Sequence, residues 1–278
     1  MKKLLMCCFC IAATFSINAQ ISTLDSARNE LYRINKVFDS SQYLGFNMDI
    51  FYKSDSAGTT KATDAVSGNY VLNKKNLYYK MGGIQYTQTD SFSYTAYADE
   101  KLLIMTKNQS GDISGSFPLR NFIDSVTEYY NSLYTVTIDT TMDDSVVVTK
   151  KILFTADSVA ITTIDGNVPY TSFFIEYEAD SYYPTKFQFS YNDKEEADSA
   201  VFYTAKKTVT MGFSHYKIYT NTQIFEDAQY AYYNRQRKTY QPAENYKDYR
   251  FVTSGFDNLD QDAAYYQEVP YNGDQPTP

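Results

Sequence analysis

Between Leu44 and Lys107 apolar and polar positions alternate in six short pieces: LGFNMDIFYK, SGNYVLN, NLYYKMGG, IQYTQTD, SFSYTAY and KLLIMTK. A period of two marks a strand with one buried and one wet face. In the first piece Leu44, Phe46, Met48, Ile50 and Tyr52 point one way, and Asn47, Asp49 and Lys53 the other. Short turns between such pieces give an antiparallel meander, since parallel strands need long crossovers. Small polar residues from Ser54 to Ala65 read as an exposed loop. Met81-Gly82-Gly83-Ile84 reads as a tight hairpin, because glycine supplies positive φ.

Two helices are expected around these strands. Leu24, Ala27, Leu31, Ile34 and Phe38 recur at helical spacing on an otherwise charged segment, so this helix must lie on something. A second helix should open at Pro118, with Leu119, Phe122, Ile123, Val126, Tyr129, Tyr130 and Leu133 on its apolar face. Strands resume at YTVTID and run to about Phe225. The pattern predicts a mainly β protein with packed helices (α+β). Helix-then-strands occurs twice, which suggests an internal repeat, but one continuous sheet wrapping both helices satisfies the same order. Residues 1–19 read as a signal peptide, 20–240 as the curved-sheet domain, and 241–278 as a polar, flexible tail.

The leader reading rests on MKKLLMCCFCIAATFSINAQ: two lysines, an apolar run too short to span a bilayer, and small residues before Gln20. All three cysteines (Cys7, Cys8, Cys10) fall inside it, so the chain beyond holds no disulfide. Export, with the periplasm as destination and the cell surface or exterior as alternatives, follows. Removing Lys2 and Lys3 takes the net charge from -8 to -10. An acidic chain without a basic run is a poor candidate for nucleic acid or anionic lipid surfaces. Tyrosine is the compositional outlier, with 29 Tyr and 18 Phe against no Trp, which suits strands that pack a ring and keep its hydroxyl wet.

The helix Leu24–Phe38, the strand Phe46–Lys53, the stretch SGNYVLNKKNLYYKMGGIQYTQTDSFSYTAYADEKLLIMTK and Tyr183-Pro184-Thr185-Lys186-Phe187-Gln188-Phe189 together resemble the periplasmic lipoprotein-carrier family, the LolA/LolB-like group. The resemblance spans roughly residues 24 to 225 and is one of structural rhythm. It implies a strongly curved antiparallel sheet, a half-barrel, whose open apolar side is plugged by helices. It also implies lipid or a lipoprotein acyl chain as ligand. Asp-Ser and Asp-Thr pairs followed by a small or aliphatic residue are similar to an O-glycosylation motif of exported proteins in one phylum of Gram-negative bacteria. Ser56 and Ser145, in polar segments, are its candidates here.

Catalytic signatures are missing. His215 is the only histidine, in a strand whose alternation puts it beside Phe213 and Lys217. No G-x-S-x-G elbow or phosphate-cradling glycine loop occurs, and a zinc site would need an all-carboxylate shell. Asp143/Asp144, Glu195/Glu196 and Asp260/Asp262 lie in turn-like or tail segments without apolar neighbours, as solvated surface. The reading is a non-enzymatic exported protein without cofactor. Phe46, Met48, Ile50, Tyr70, Leu72, Leu77, Tyr79, Tyr94 and Ile104 would line a cavity for an apolar ligand, or else form a filled core. The alternative is a structural or interaction module of the envelope, binding protein or glycan through a Tyr-rich sheet face.

Overall fold

A computed structural model of the chain describes residues 24–39, 42–56, 59–108, 133–144, 146–156, 170–196 and 202–256. One α-helix occurs among them, α1, over residues 24–38. The strands are β1 (Tyr43–Ser56), β2 (Thr59–Leu72), β3 (Leu77–Met81), β4 (Ile84–Gln88), β5 (Phe92–Tyr97) and β6 (Leu102–Lys107). They continue as β7 (Tyr134–Asp143), β8 (Val146–Ala156), β9 (Ser172–Glu178), β10 (Pro184–Glu196) and β11 (Phe202–Tyr219). The C-terminal part holds β12 (Ala231–Asn234), β13 (Thr239–Pro242) and β14 (Arg250–Ser254).

Twelve strands form one sheet in the order β14-β6-β5-β4-β3-β2-β1-β11-β10-β9-β8-β7, and β12 and β13 form a separate hairpin. This corrects the predicted α+β half-barrel with two packed helices. The chain is mostly β, and its large sheet ends at β14 and β7 rather than closing into a barrel. Residues 118–132 of the predicted mid-chain helix lie outside the described residues. Alternation reports strands but not the long-range pairings, such as β1 with β11, that set how a sheet continues. The sheet is also not wholly antiparallel, since β14 runs parallel to β6 with Arg250 opposite Leu102 and Ser254 opposite Thr106. The loop read from Ser54 to Ala65 is another correction: β1 extends to Ser56 and β2 begins at Thr59. Thr59, Thr60 and Thr63 are polar yet β-branched, and such residues sit well on a pleated strand.

The chain divides into two compact units. The first takes residues 24–39 and the described parts of 47–67 and 117–216. Its core is one face of β7–β10. The pairings Val136–Phe154, Phe154–Phe173, Ile152–Ile175 and Ile175–Phe187 place these side chains on the same side. All of them are buried, and the α1 stripe Ala27, Leu31, Ile34 and Phe38 is buried as well. Polar bonds at the edge of that stripe fix the helix. The Tyr177 hydroxyl donates to Glu30 Oε2 at 2.6 Å, and Lys150 Nζ donates to Glu30 Oε1 at 3.2 Å. Arg33 reaches the Tyr182 hydroxyl at 2.6 Å, and that ring stacks on Tyr177 at 5.9 Å.

The second unit takes residues 42–46, 68–108 and 217–256. Here β3 to β6 form four of the six strands of the predicted meander, with Met81 opposite Ile84 across the Gly82-Gly83 turn. Gly82 has φ +56, the left-handed conformation that such a turn requires. Residues 242–256 continue the fold through a 3-10 turn at Glu244–Tyr246 and then β14. Their aromatics Tyr246, Tyr249, Phe251 and Phe256 pack against a cluster of Tyr94, Ala96, Leu103, Met105, Tyr230 and Ala231.

Candidate functional site

Cross-strand register in the second unit lines four rings up in a row. Tyr70 faces Tyr79 across β2–β3, and Tyr79 faces Tyr86 across β3–β4. Phe46 of β1 stacks on Tyr70 at 5.4 Å between ring centroids, Tyr70 on Tyr79 at 5.3 Å, and Tyr79 on Tyr86 at 5.1 Å. Directly opposed residues share a sheet face, so this ladder is continuous over four strands. Leu72 and Leu77 sit beside it as a paired, fully buried couple. The row opens in one direction: Phe46 and Tyr70 are buried, whereas Tyr79 and Tyr86 are half-buried. Burial pushes the Tyr70 phenol well above the ordinary tyrosine range and raises the Tyr79 phenol as well, with the neighbouring ring adding to each shift. Both hydroxyls stay neutral at physiological pH, and Tyr86 donates its proton to Gln88 Oε1 at 2.9 Å.

The nine residues predicted to line a cavity divide three ways. Phe46, Tyr70, Leu72 and Leu77 share the ladder face and are buried, and Met48 is buried in the first unit. Ile50, Tyr79 and Ile104 are half-buried, and Ile104 pairs with Thr95, which pairs with Tyr86, so Ile104 also belongs to the ladder face. Tyr94 does not: it pairs with Thr87 and Met105, which puts it on the opposite face. Sequence reasoning missed Tyr86 and the half-buried Tyr97, which completes the open end at the Ile84 pair. The hairpin supplied the signal, because a turn with Met81 opposite Ile84 places Tyr79 opposite Tyr86 automatically.

The face carrying Tyr94 is closed by the C-terminal arm. The Tyr94 ring stacks on Tyr230 at 4.7 Å. The Tyr230 hydroxyl accepts from Thr87 Oγ1 at 2.7 Å and Gln85 Nε2 at 3.5 Å, and donates to the Ile224 carbonyl at 2.8 Å. Thr89 Oγ1 donates to Asp227 Oδ1 at 3.3 Å, and Tyr94 also bonds this carboxylate. Burial raises the Asp227 carboxyl above its ordinary range, against the pull of those two hydrogen bonds. A carboxyl raised by folding favours the native state below its unfolded pKa of about 3.9 and loses that contribution as pH rises through the higher folded value. Asp227→Asn keeps an acceptor for Tyr94 and Thr89 without the buried charge. Its urea midpoint is therefore expected to exceed wild type at pH 7 and to converge with it near pH 3. A lower midpoint at pH 7 would show that the charge itself is needed.

His215 is exposed and holds φ +58 within β11, a left-handed residue that interrupts the strand's alternation. Its Nδ1 lies 2.9 Å from Ser214 Oγ and 3.4 Å from Asn47 Nδ2. Among the described residues no group of three or more His, Cys, Asp or Glu side chains stands together as a metal cluster. Ser56 is the last residue of β1, and Ser145 lies outside the described residues.

No protein-family model matches the chain, and no curated protein sequence matches it. Among solved structures it is similar to an uncharacterised conserved protein from Thermus thermophilus, at 7% identity and TM-score 0.35, covering 71% of this chain and 90% of that one. A DUF1329 family protein from Desulfovibrio piger has 11% identity and TM-score 0.30, covering 73% and 97%. A domain from Vibrio parahaemolyticus, provisionally named an outer membrane lipoprotein-sorting protein, gives the same four values. At these identities and scores the likeness concerns fold alone.

Proposed function

We propose that this is an exported, non-catalytic binding protein of a Gram-negative envelope that takes an acyl chain or similarly elongated apolar ligand along the open end of the tyrosine ladder. The supporting observation is the gradient along that row, from the buried Phe46 and Tyr70 to the half-buried Tyr79 and Tyr86. Tyr97 and Ile104 widen the half-buried end on the same face. The rings offer apolar area with neutral hydroxyls, which suits partition rather than proton transfer. Each methylene removed from water would contribute about 0.8 kcal/mol. The buried Phe46, Leu72 and Leu77 would form the floor of such a site.

Titration with a fluorescent fatty acid tests this. Wild type is expected to bind it, and the Tyr79→Ala/Tyr86→Ala double variant to bind at least tenfold more weakly, a loss of about 1.4 kcal/mol or more. Equal binding by the two proteins would remove the ladder from the site. No binding by either would turn the reading toward an interaction module that uses the same tyrosine face for protein or glycan.

A further inference from the structure

The β12–β13 hairpin stands apart from the large sheet, and its residues are polarised along its length. Its base is rigid: Tyr230, Ala231 and Ala243 are buried, and the Ala243 amide donates to the Tyr230 carbonyl at 2.8 Å. Its tip, Arg235-Gln236-Arg237-Lys238, is wholly exposed. Asn234 Oδ1 accepts from the Gln236 amide at 3.0 Å and the Arg237 amide at 3.1 Å, which holds the turn in shape. Among the described residues none of the three cations has a carboxylate partner. Just behind them Tyr232 and Tyr233 are 49% and 51% exposed. Adjacent strand positions point to opposite sides, so each face of the hairpin carries one ring. The Tyr232 hydroxyl donates to Gln241 Oε1 at 3.1 Å, and the Tyr233 ring packs edge-on against Tyr240 at 5.2 Å.

We infer that this hairpin tip docks the protein on a lipid surface bearing anionic headgroups. Three cations without a carboxylate partner among the described residues, followed by two amphipathic rings, match the layering of such a surface, with charge at the headgroups and tyrosine at the interface below. The acidic net charge, read together with the absence of a basic run, led to the opposite expectation, but net charge is an average over the whole chain and Arg235-Gln236-Arg237-Lys238 is a short basic run. Screening limits each charge to about 8–10 Å, so an exposed tip is governed by the charges within that distance rather than by the whole chain's sum. A narrow tip suits mobile headgroups better than a protein partner, whose stable interface takes about 800 Å² from each side. Each cation near an anionic leaflet multiplies binding about fivefold.

Flotation with vesicles tests this, using protein recovered from the periplasm. Wild type is expected to float with phosphatidylcholine vesicles containing about 30% phosphatidylglycerol, not with phosphatidylcholine alone, and to be released by about 0.5 M NaCl. The variant R235Q/R237Q/K238Q should lose at least tenfold in binding, and Y232S/Y233S several-fold. Unchanged urea midpoints for both would show that the fold is intact. Failure of wild type to float, equal flotation of the triple variant, or capture by soluble polyphosphate in place of vesicles would overturn the inference. It stands apart from the acyl-chain reading, because ladder occupancy is read by fatty-acid binding and docking by charge-dependent flotation.

Discussion

Tyr94→Ala is expected to lower folding stability by about 3–5 kcal/mol, the range for truncating a large buried aromatic. Tyr94 is 1% exposed, stacks on Tyr230, and sits in the cluster that the C-terminal arm packs against. Its loss leaves a cavity, one bare face of Tyr230, and an Asp227 carboxylate short of a donor. The effect should be regional as well as global. Limited proteolysis is expected to cut between residues 217 and 256 well before the β3–β6 meander. Tyr94→Phe keeps the ring and removes only the hydrogen bond, so it should cost about 1–3 kcal/mol. Equal losses for the two variants would mean that the hydroxyl, not the packed ring, holds the arm.

Glu30→Ala comes next, with an expected loss of about 2–3 kcal/mol. The Glu30 side chain is only 16% exposed and accepts from two partners at once, the fully buried Tyr177 and Lys150, whose side chain is 25% exposed, with Arg33 pairing more loosely at 4.0 Å. Burial, followed by the Glu30 bond, pushes the Tyr177 phenol far above its usual range, so in the wild type the hydroxyl is a neutral donor. Tyr177→Phe removes the stranded donor. Adding it to Glu30→Ala should therefore cost less than the sum of the single changes, with a coupling of about 1 kcal/mol. Strict additivity in urea unfolding would show that the Tyr177–Glu30 bond contributes nothing to helix docking.

How much of this was legible in the sequence follows from which pattern each feature obeys. The α1 stripe repeats at helical spacing, and Ala27, Leu31, Ile34 and Phe38 are buried as that spacing requires. The six strands from Tyr43 to Lys107, and their order as neighbours, were legible because alternation and turns lie within one stretch. Tyr94 was misplaced for a local reason. Gln88 pairs with Ser93, so the β4–β5 connection sets Thr95 opposite Tyr86 and turns Tyr94 to the other face. A register offset of one residue reverses every side chain of a strand, and composition cannot report it. The closing arm was hidden because residues 217–256 are polar with scattered aromatics, and their order comes from single anchors such as Tyr230. The pairing of β14 with β6, parallel and about 150 residues distant, has no local signature at all. Net charge likewise concealed the hairpin tip, since three cations vanish into a sum over 278 residues.

An acyl occupant at the open end of the tyrosine ladder is open to direct measurement. Native mass spectrometry of the protein purified gently from a Gram-negative periplasm, followed by solvent extraction of what co-purifies, addresses it most directly. The expected result is a stoichiometric lipid or acyl species that is lost from Tyr79→Ala/Tyr86→Ala. A clean unliganded mass for wild type, with no uptake of added fatty acid, would contradict it and leave the ladder as the filled face of a sheet.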